Sequence, residues 1–413
     1  MLNRQEGDEA MNSTKQLDEK SFDFGFLEEM LASVPDGAKL KTCIQCGSCS
    51  GSCPAAEGME VTPRRLWRLV QLGMEKEVME AQNFWQCATC ALCEIRCPRG
   101  IPLSQIMTKL REYYTVKEGP LAAMGQIMSI LDKARNITGD EAKNRLLWTG
   151  NLVMKPNESL VKDKASVVYF TGCVSSLFPQ VYKIPQAMTQ VLLKAGVDFT
   201  LLGEEEWCCG YPMLGAGQGE KALAEYANHN LKAIKQKGAK TVLISCPTCL
   251  YVFEKVYPKV LGGDLGVKVQ HYSEYLVDLI KNGKIEFKTD EAAVTYHDPC
   301  DLGRKSHITE EPRELIQLLP GVKLIEMRFN RDQSKCCGGG GNLEMLNAGL
   351  SNEIAQKRVT EALETSAQYF LTTCQQCKRT LQNAARKMRA RIKVYDLMEF
   401  IAERIEEPGG GQA

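Results

Sequence analysis

The sequence predicts an α+β multidomain chain: an α-helical N-terminal domain, then two tandem α/β domains made of βαβ units on parallel sheets. Three observations lead there. Two four-cysteine runs of identical spacing stand near the N-terminus, over residues 43–53 and 87–97. A five-cysteine pattern occurs twice in the remainder. Around each copy, short apolar strand patterns alternate with amphipathic helix patterns, as βαβ units require. A chain of 413 residues has room for two or three domains.

The N-terminal runs read Cys43-x2-Cys46-x2-Cys49-x3-Cys53-Pro54 and Cys87-x2-Cys90-x2-Cys93-x3-Cys97-Pro98. This is the bacterial ferredoxin spacing, in which three thiolates hold one [4Fe–4S] cluster and the fourth crosses to the other. Two-residue gaps let consecutive thiolates reach successive irons of one cube. The spacing assigns Cys43, Cys46, Cys49 and Cys97 to one cubane, and Cys87, Cys90, Cys93 and Cys53 to its partner. Pairs of the form C-x2-C also suit zinc, but nothing in zinc chemistry calls for two copies of the whole run. The long link from Cys53 to Cys87 carries a helix start at Thr62-Pro63. Leu66, Trp67, Leu69, Val70 and Leu72 follow at helical spacing up to Gly73, and residues 75–81 form a second short helix. Residues 22–120 are thus an α-helical ferredoxin domain with two [4Fe–4S] clusters. Trp67, Phe84 and Trp85 are expected to pack over the clusters.

Residues 121–164 read as a connector, helical and then loop-like around Lys155-Pro156-Asn157. Residues 165–285 and 286–407 are the two repeats. The first holds Cys173, Cys208-Cys209-Gly210 and Cys246-x2-Cys249, and the second Cys300, Cys336-Cys337-Gly338 and Cys374-x2-Cys377. The spacing from pair to C-x2-C is the same in both. Strand patterns at 167–170, 241–244, 293–296 and 369–371 each run into a cysteine. Helices are expected at 185–193 and 220–235, and each copy closes with a strand and helix, 267–269 into 274–280 and 392–394 into 397–401. Five thiolates per copy then gather at the carboxyl ends of parallel strands, where open α/β sheets carry their sites. Gly210 and Gly338, the latter opening the run 338–341, are expected to give backbone room beside a bulky cofactor. A phosphate loop would need a Lys-Ser/Thr, which is absent, and residues 215–219 lack dinucleotide spacing.

The 18 cysteines all fall in these motifs. In a chain without the apolar core of a signal peptide, that number points to metal ligation and a reducing, cytoplasmic setting. Lys+Arg and Asp+Glu are both 51, so the basic excess of a nucleic-acid binder is missing. No apolar run is long enough to span a membrane. Residues 1–21 and 408–413 read as a disordered and a flexible tail.

The chain resembles a known family, the heterodisulfide reductases. The five-cysteine repeat, the CCG domain, resembles that of their B-type subunit. The ferredoxin unit resembles their C-type subunit through Thr62-Pro63-Arg64-Arg65, Leu69-Val70-Gln71-Leu72-Gly73 and the run ending Cys97-Pro98-Arg99-Gly100. Joined in this order they look like the D-type subunit, the natural fusion of the two. The iron–sulfur subunits of glycolate and lactate oxidation systems share the outline. The resemblance implies a noncubane [4Fe–4S] cluster on each five-cysteine set: Cys173, Cys208, Cys209, Cys246 and Cys249 on one, and Cys300, Cys336, Cys337, Cys374 and Cys377 on the other. It implies reductive cleavage of a disulfide between the two, a two-electron couple served by one-electron carriers, with Cys209 and Cys337 at the chemical centre. Related chains often read His-Asp-Pro-Cys-His where this one reads His297-Asp298-Pro299-Cys300-Asp301. His297 or Asp301 is therefore a candidate proton source; the plainer reading is that His297 caps a strand end. His229, His271 and His307 have no motif and are expected to be structural.

Two functions compete. One is an enzyme component reducing a disulfide or oxidising thiols. The other is a relay without its own substrate, linking a flavoprotein to a membrane cytochrome, a quinone or another acceptor. No flavin or nicotinamide motif is present, so a partner must exchange electrons with the chain in either case: a flavoprotein, a hydrogenase or a membrane cytochrome b. Through such a partner the chain could sit at the inner face of a membrane. The basic run 386–391 is read as a helix, either a docking face or an ordinary solvated one.

Overall fold

The computed structural model describes residues 22–152 and 159–406. The expected tails and the loop at Lys155-Pro156-Asn157 lie outside the described residues. The N-terminal domain is helical as its sequence demands. The Asp23 carboxylate caps the helix Phe24–Ala32 by accepting from Gly25 N (2.8 Å) and Phe26 N (3.2 Å). Thr62 and Pro63 open the helix Pro63–Gln71, which turns Leu66, Trp67 and Val70 inward, and Glu75–Ala81 follows. The long helix Leu103–Glu118 buries Leu103, Ile106, Met107 and Leu110 along one stripe. Helix Ala122–Ala134 and a 3₁₀ segment, Ala142–Asn151, make up the described part of the connector.

Each repeat is a four-stranded, all-parallel sheet with helical crossovers. The first contains β1 (Val167–Phe170), β2 (Phe199–Leu201), β3 (Thr241–Ile244) and β4 (Lys268–His271), in the order β2-β1-β3-β4. The second contains β5 (Ala292–His297), β6 (Val322–Leu324), β7 (Tyr369–Thr372) and β8 (Lys393–Asp396), in the matching order β6-β5-β7-β8. The registers correspond too: Phe170 lies opposite Ile244 in one sheet and His297 opposite Thr372 in the other.

The two sheets share one apolar core, with Tyr169, Leu243, Tyr272 and Leu276 from the first repeat against Tyr296, Leu371, Leu397 and Phe400 from the second. Burying each such side chain is worth about 1.5–3 kcal/mol. Tyr272 crosses between repeats, donating to Asp396 Oδ1 at 3.0 Å. The shared core fixes the pair as one body and aims the carboxyl ends of β1, β3, β5 and β7 at a common region.

Three local expectations change. Strands β2 and β6 carry no signal of their own, being three-residue strands paired on one side only. The helix expected at 220–235 breaks into a 3₁₀ turn, Glu220–Leu223, and an α-helix, Ala224–Gln236. The basic run 386–391 is not a helix: its helix ends at Lys387, and Arg389 has φ of 51°. Among the described residues no helix is long and apolar enough to cross a membrane.

Candidate metal centres

In the ferredoxin domain the chain brings Cys43, Cys46, Cys49 and Cys97 to one recess, closed on its inner side by Trp67. Cys46 lies at the surface and Ile44 beside it is 64% exposed, so this recess opens to solvent. The second set lies deeper. Cys53 feels Cys87 and Cys90 as its charged neighbours, Cys93 feels Cys90, Cys87 and Cys53, and burial pushes both thiols up. Of the three aromatics expected over the sites, Trp67 takes that place. Phe84 and Trp85 meet Tyr114 in tilted and edge-on contacts, and the Arg111 guanidinium lies over the Trp85 ring.

The two repeats build matching sets of five. Each lone cysteine follows the first strand of its sheet, each C-x2-C opens the helix after the third, and the Cys-Cys pair lies on the loop between them. Side-chain contacts run in the same order in both, Cys173–Cys208–Cys209–Cys249–Cys246 and Cys300–Cys336–Cys337–Cys377–Cys374. Cys337 Sγ lies 3.2 Å from Cys377 Sγ. Hydrogen bonds from Cys208 and Cys249 pull the Cys209 thiol down to about 6, and those from Cys336 and Cys377 hold Cys337 well below its ordinary value. Nine of these ten cysteines are buried, Cys300 is half-buried, and none forms a disulfide.

Gly210 and Gly338 sit at φ of 90° and 85°, and donate to Cys208 Sγ (3.4 Å) and Cys336 Sγ (3.3 Å). Each glycine thus turns the loop back on its cysteine pair. A Cβ at either place would meet protein, Leu223 at Gly210 and Ser351 O at Gly338.

The polar surroundings of the two sets differ. At the first, buried Arg145 donates to Cys173 Sγ (3.3 Å) and is neutralised by buried Glu206 at 2.9 Å. Glu206 also accepts from Thr171 N and Gly172 N, fixing the turn after β1. At the second, His297 ends β5 almost fully buried, with a ring nitrogen within 4.8 Å of both Cys337 and Cys377 sulfurs. Burial holds its pKa below the ordinary imidazole value. Asp301 lies where the repeats meet, accepting from Thr248 Oγ1 at 2.5 Å and paired with Lys305 at 2.7 Å. Gln375 reaches back to Thr171 O and Ser245 Oγ. The turns carrying Cys246 and Cys374 therefore face each other, one contact deep.

The second ferredoxin set abuts the second repeat. The Cys90 thiol is in hydrogen-bond contact with Cys336, and Arg304 Nε donates to Cys90 O at 2.6 Å. Buried Arg111 ties the junction together, donating to Phe84 O, Trp85 O and Cys87 O, to Gly215 O of the first repeat and to Gly341 O of the second.

An iron–sulfur group fits these residues. Five mutually touching thiols per set exceed what tetrahedral zinc takes up. His297 Nε2 and Arg304 Nη2, both buried near the second set, are donors without a protein acceptor, as sulfur-rich occupants would satisfy. Sequence motifs found the cysteines but missed Arg111, Arg145, Glu206, Arg304, Lys305, Arg358 and Gln375. Only Arg304 and Lys305, directly after Cys300 and Asp301, had a positional signal.

Comparison with known proteins agrees with this construction. Residues 39–101 match the family described as "4Fe-4S dicluster domain", and residues 167–254 and 294–382 match "Cysteine-rich domain". The D-type subunit of the dihydromethanophenazine:CoB–CoM heterodisulfide reductase of Methanosarcina acetivorans is 34% identical over 88% of this chain and 94% of its own. The probable iron-sulfur-binding oxidoreductase FadF of Bacillus subtilis is 27% identical over 86% of this chain and 50% of its own. The EtfAB:quinone oxidoreductase of Syntrophomonas wolfei is 24% identical over 89% and 58%. A solved hypothetical protein from Helicobacter pylori has a similar fold, with a TM-score of 0.61 at 10% identity over 93% of this chain and 77% of that one.

Proposed function

The chain belongs to the iron–sulfur oxidoreductase family of the D-type heterodisulfide reductase subunits, and from that premise we propose that it reduces a small disulfide, or oxidises the corresponding thiols, between its two five-cysteine sets. Cys43, Cys46, Cys49 and Cys97 would hold one cubane cluster, and Cys87, Cys90, Cys93 and Cys53 the other. Each five-cysteine set would hold a noncubane [4Fe–4S] cluster. When bound, the clusters supply one-electron transfer, and two of them facing each other divide the two electrons that a disulfide needs.

The observation that carries this reading is the pairing of the sets. Two complete, buried groups of five thiols meet across the Thr248–Asp301 contact, and one of them touches the ferredoxin domain through Cys90 and Cys336. Asp301 and Lys305 are the polar groups at that meeting point, and Asp301 is the better placed of the two proton-source candidates. His297 is enclosed behind Cys337 with its Nδ1 taken by Arg358.

Anaerobic assay of the loaded full-length chain with reduced viologen tests the reading. Release of two thiols per small disulfide supports it. Rapid oxidation by a quinone analogue with no thiol release from any disulfide supports the second reading, a relay between a flavoprotein and a membrane acceptor. That second reading is favoured by the similarity to the EtfAB:quinone oxidoreductase of Syntrophomonas wolfei.

The partner, a flavoprotein, hydrogenase or membrane cytochrome b, would meet the chain at the open Cys46 recess. Arg64 lines that recess, and Arg68 follows one turn along the same helix; both are exposed and without a carboxylate partner among the described residues. An acidic partner suits this face. The double substitution Arg64→Glu, Arg68→Glu is expected to slow reduction by an acidic flavodoxin about tenfold and to weaken its salt dependence. Reduction by dithionite, measured by stopped flow, should stay unchanged.

A further inference from the structure

The two repeats correspond residue by residue at the ends of their first strands, and the correspondence breaks at one buried position. Phe170 closes β1 three residues before Cys173, and His297 closes β5 three residues before Cys300, in the same register to the third strand. Phe170 is purely apolar and packs on Phe253 at 4.9 Å. His297 is held in a polar frame. Its Nδ1 receives Arg358 Nε–H at 3.1 Å, and Arg358, itself fully buried, is fixed by Phe329 O (3.0 Å), Glu361 (2.7 Å) and Ser334 Oγ (3.1 Å).

That frame decides the tautomer. A guanidinium can only donate, so Nδ1 carries a lone pair and the ring proton sits on Nε2. Nε2 is buried and finds no oxygen or nitrogen acceptor. The sulfurs of Cys337 and Cys377 are what lies within reach of the ring. A buried N–H without an acceptor is unfavourable, so an occupant of this set with exposed sulfur would be stabilised by meeting it.

We propose that His297, positioned by Arg358, donates a hydrogen bond from Nε2 to the sulfur of the second five-cysteine centre and thereby raises that centre's reduction potential, an effect that Phe170 at the matching place of the first repeat cannot supply. This rests on the reading that both five-cysteine sets hold iron–sulfur clusters. Donors to cluster sulfur stabilise the more negative, reduced state, which sets the sign. Arg304 acts in the same direction, its Nη2 unpartnered beside the second set. At the first set Arg145 Nη2 donates to Cys173 Sγ at 3.3 Å, while its charge is paired with Glu206 through Nη1.

The test is an anaerobic potentiometric titration of the loaded full-length chain, followed by electron paramagnetic resonance. His297→Phe, which installs the first repeat's residue, is expected to keep its iron and to shift one midpoint downward while the others stay. His297→Gln, whose amide can donate, should recover part of the shift, and Arg358→Met should give a smaller shift of the same sign. An unchanged midpoint in an iron-replete His297→Phe chain overturns the proposal. So does loss of iron from both His297 variants, which would make the histidine a ligand. Wild-type protein without cluster on the ten cysteines would instead overturn the underlying reading.

Discussion

Cys336→Ala is expected to remove one centre and to isolate another. Cys336 belongs to the second five-cysteine set and touches Cys90 of the ferredoxin domain, so it stands at the junction between cysteines of the two domains. Iron should fall from about sixteen to about twelve per chain, on four irons per cluster. Disulfide reduction should be lost. The first five-cysteine centre should keep its iron yet no longer accept electrons through the ferredoxin domain. Cys208→Ala, at the matching place in the first repeat, is the control. It should also lose about four irons, while the second centre remains reducible. Equal behaviour of the two variants in rapid-freeze spectroscopy would refute an electron path that enters at the second repeat.

Arg111→Met is expected to separate the ferredoxin domain from the repeats. Arg111 is fully buried and donates to five carbonyls drawn from all three domains, with no carboxylate partner among the described residues. Its burial is opposed by desolvation and supported chiefly by Cys87. Methionine fills similar volume but takes the donor away from these carbonyls, and each buried acceptor left unsatisfied costs about 1–3 kcal/mol. The variant should unfold at lower urea concentration and be cut by protease between residues 118 and 122, releasing the ferredoxin domain. An unchanged urea midpoint would mean that the junction is held by apolar packing alone.

How much of this was readable beforehand depends on the kind of residue. The ferredoxin cysteines were legible because their ligand spacing is local, with two residues between consecutive thiolates, and the repeat cysteines because the same five-cysteine spacing occurs twice. Strands β1 and β3 were legible because fully buried parallel strands read as unbroken apolar runs. Strands β2 and β6 were not, since Phe199-Thr200-Leu201 and Val322-Lys323-Leu324 are too short to show a period. The charged residues around the sites were hidden for a different reason. Arg111, Arg145 and Arg358 look like surface residues in sequence, and only the fold reveals that each is buried and bonded. His297 was noticed, but its partner Arg358 stands 61 positions away, and no spacing rule joins them. For the glycines the structure adds a reason of its own: their positive φ serves the backbone turn at the cysteine pair.

The most direct test of the central claim, that ten cysteines of the repeats hold two iron–sulfur centres distinct from those of the ferredoxin domain, is a Mössbauer spectrum of the anaerobically loaded, iron-57-labelled chain. The account predicts about sixteen irons, half in ordinary cubane signals and half in a second set that vanishes in part with Cys336→Ala and in part with Cys208→Ala. About eight irons, all cubane, with the ten repeat cysteines titrating as free thiols or holding zinc, would contradict it.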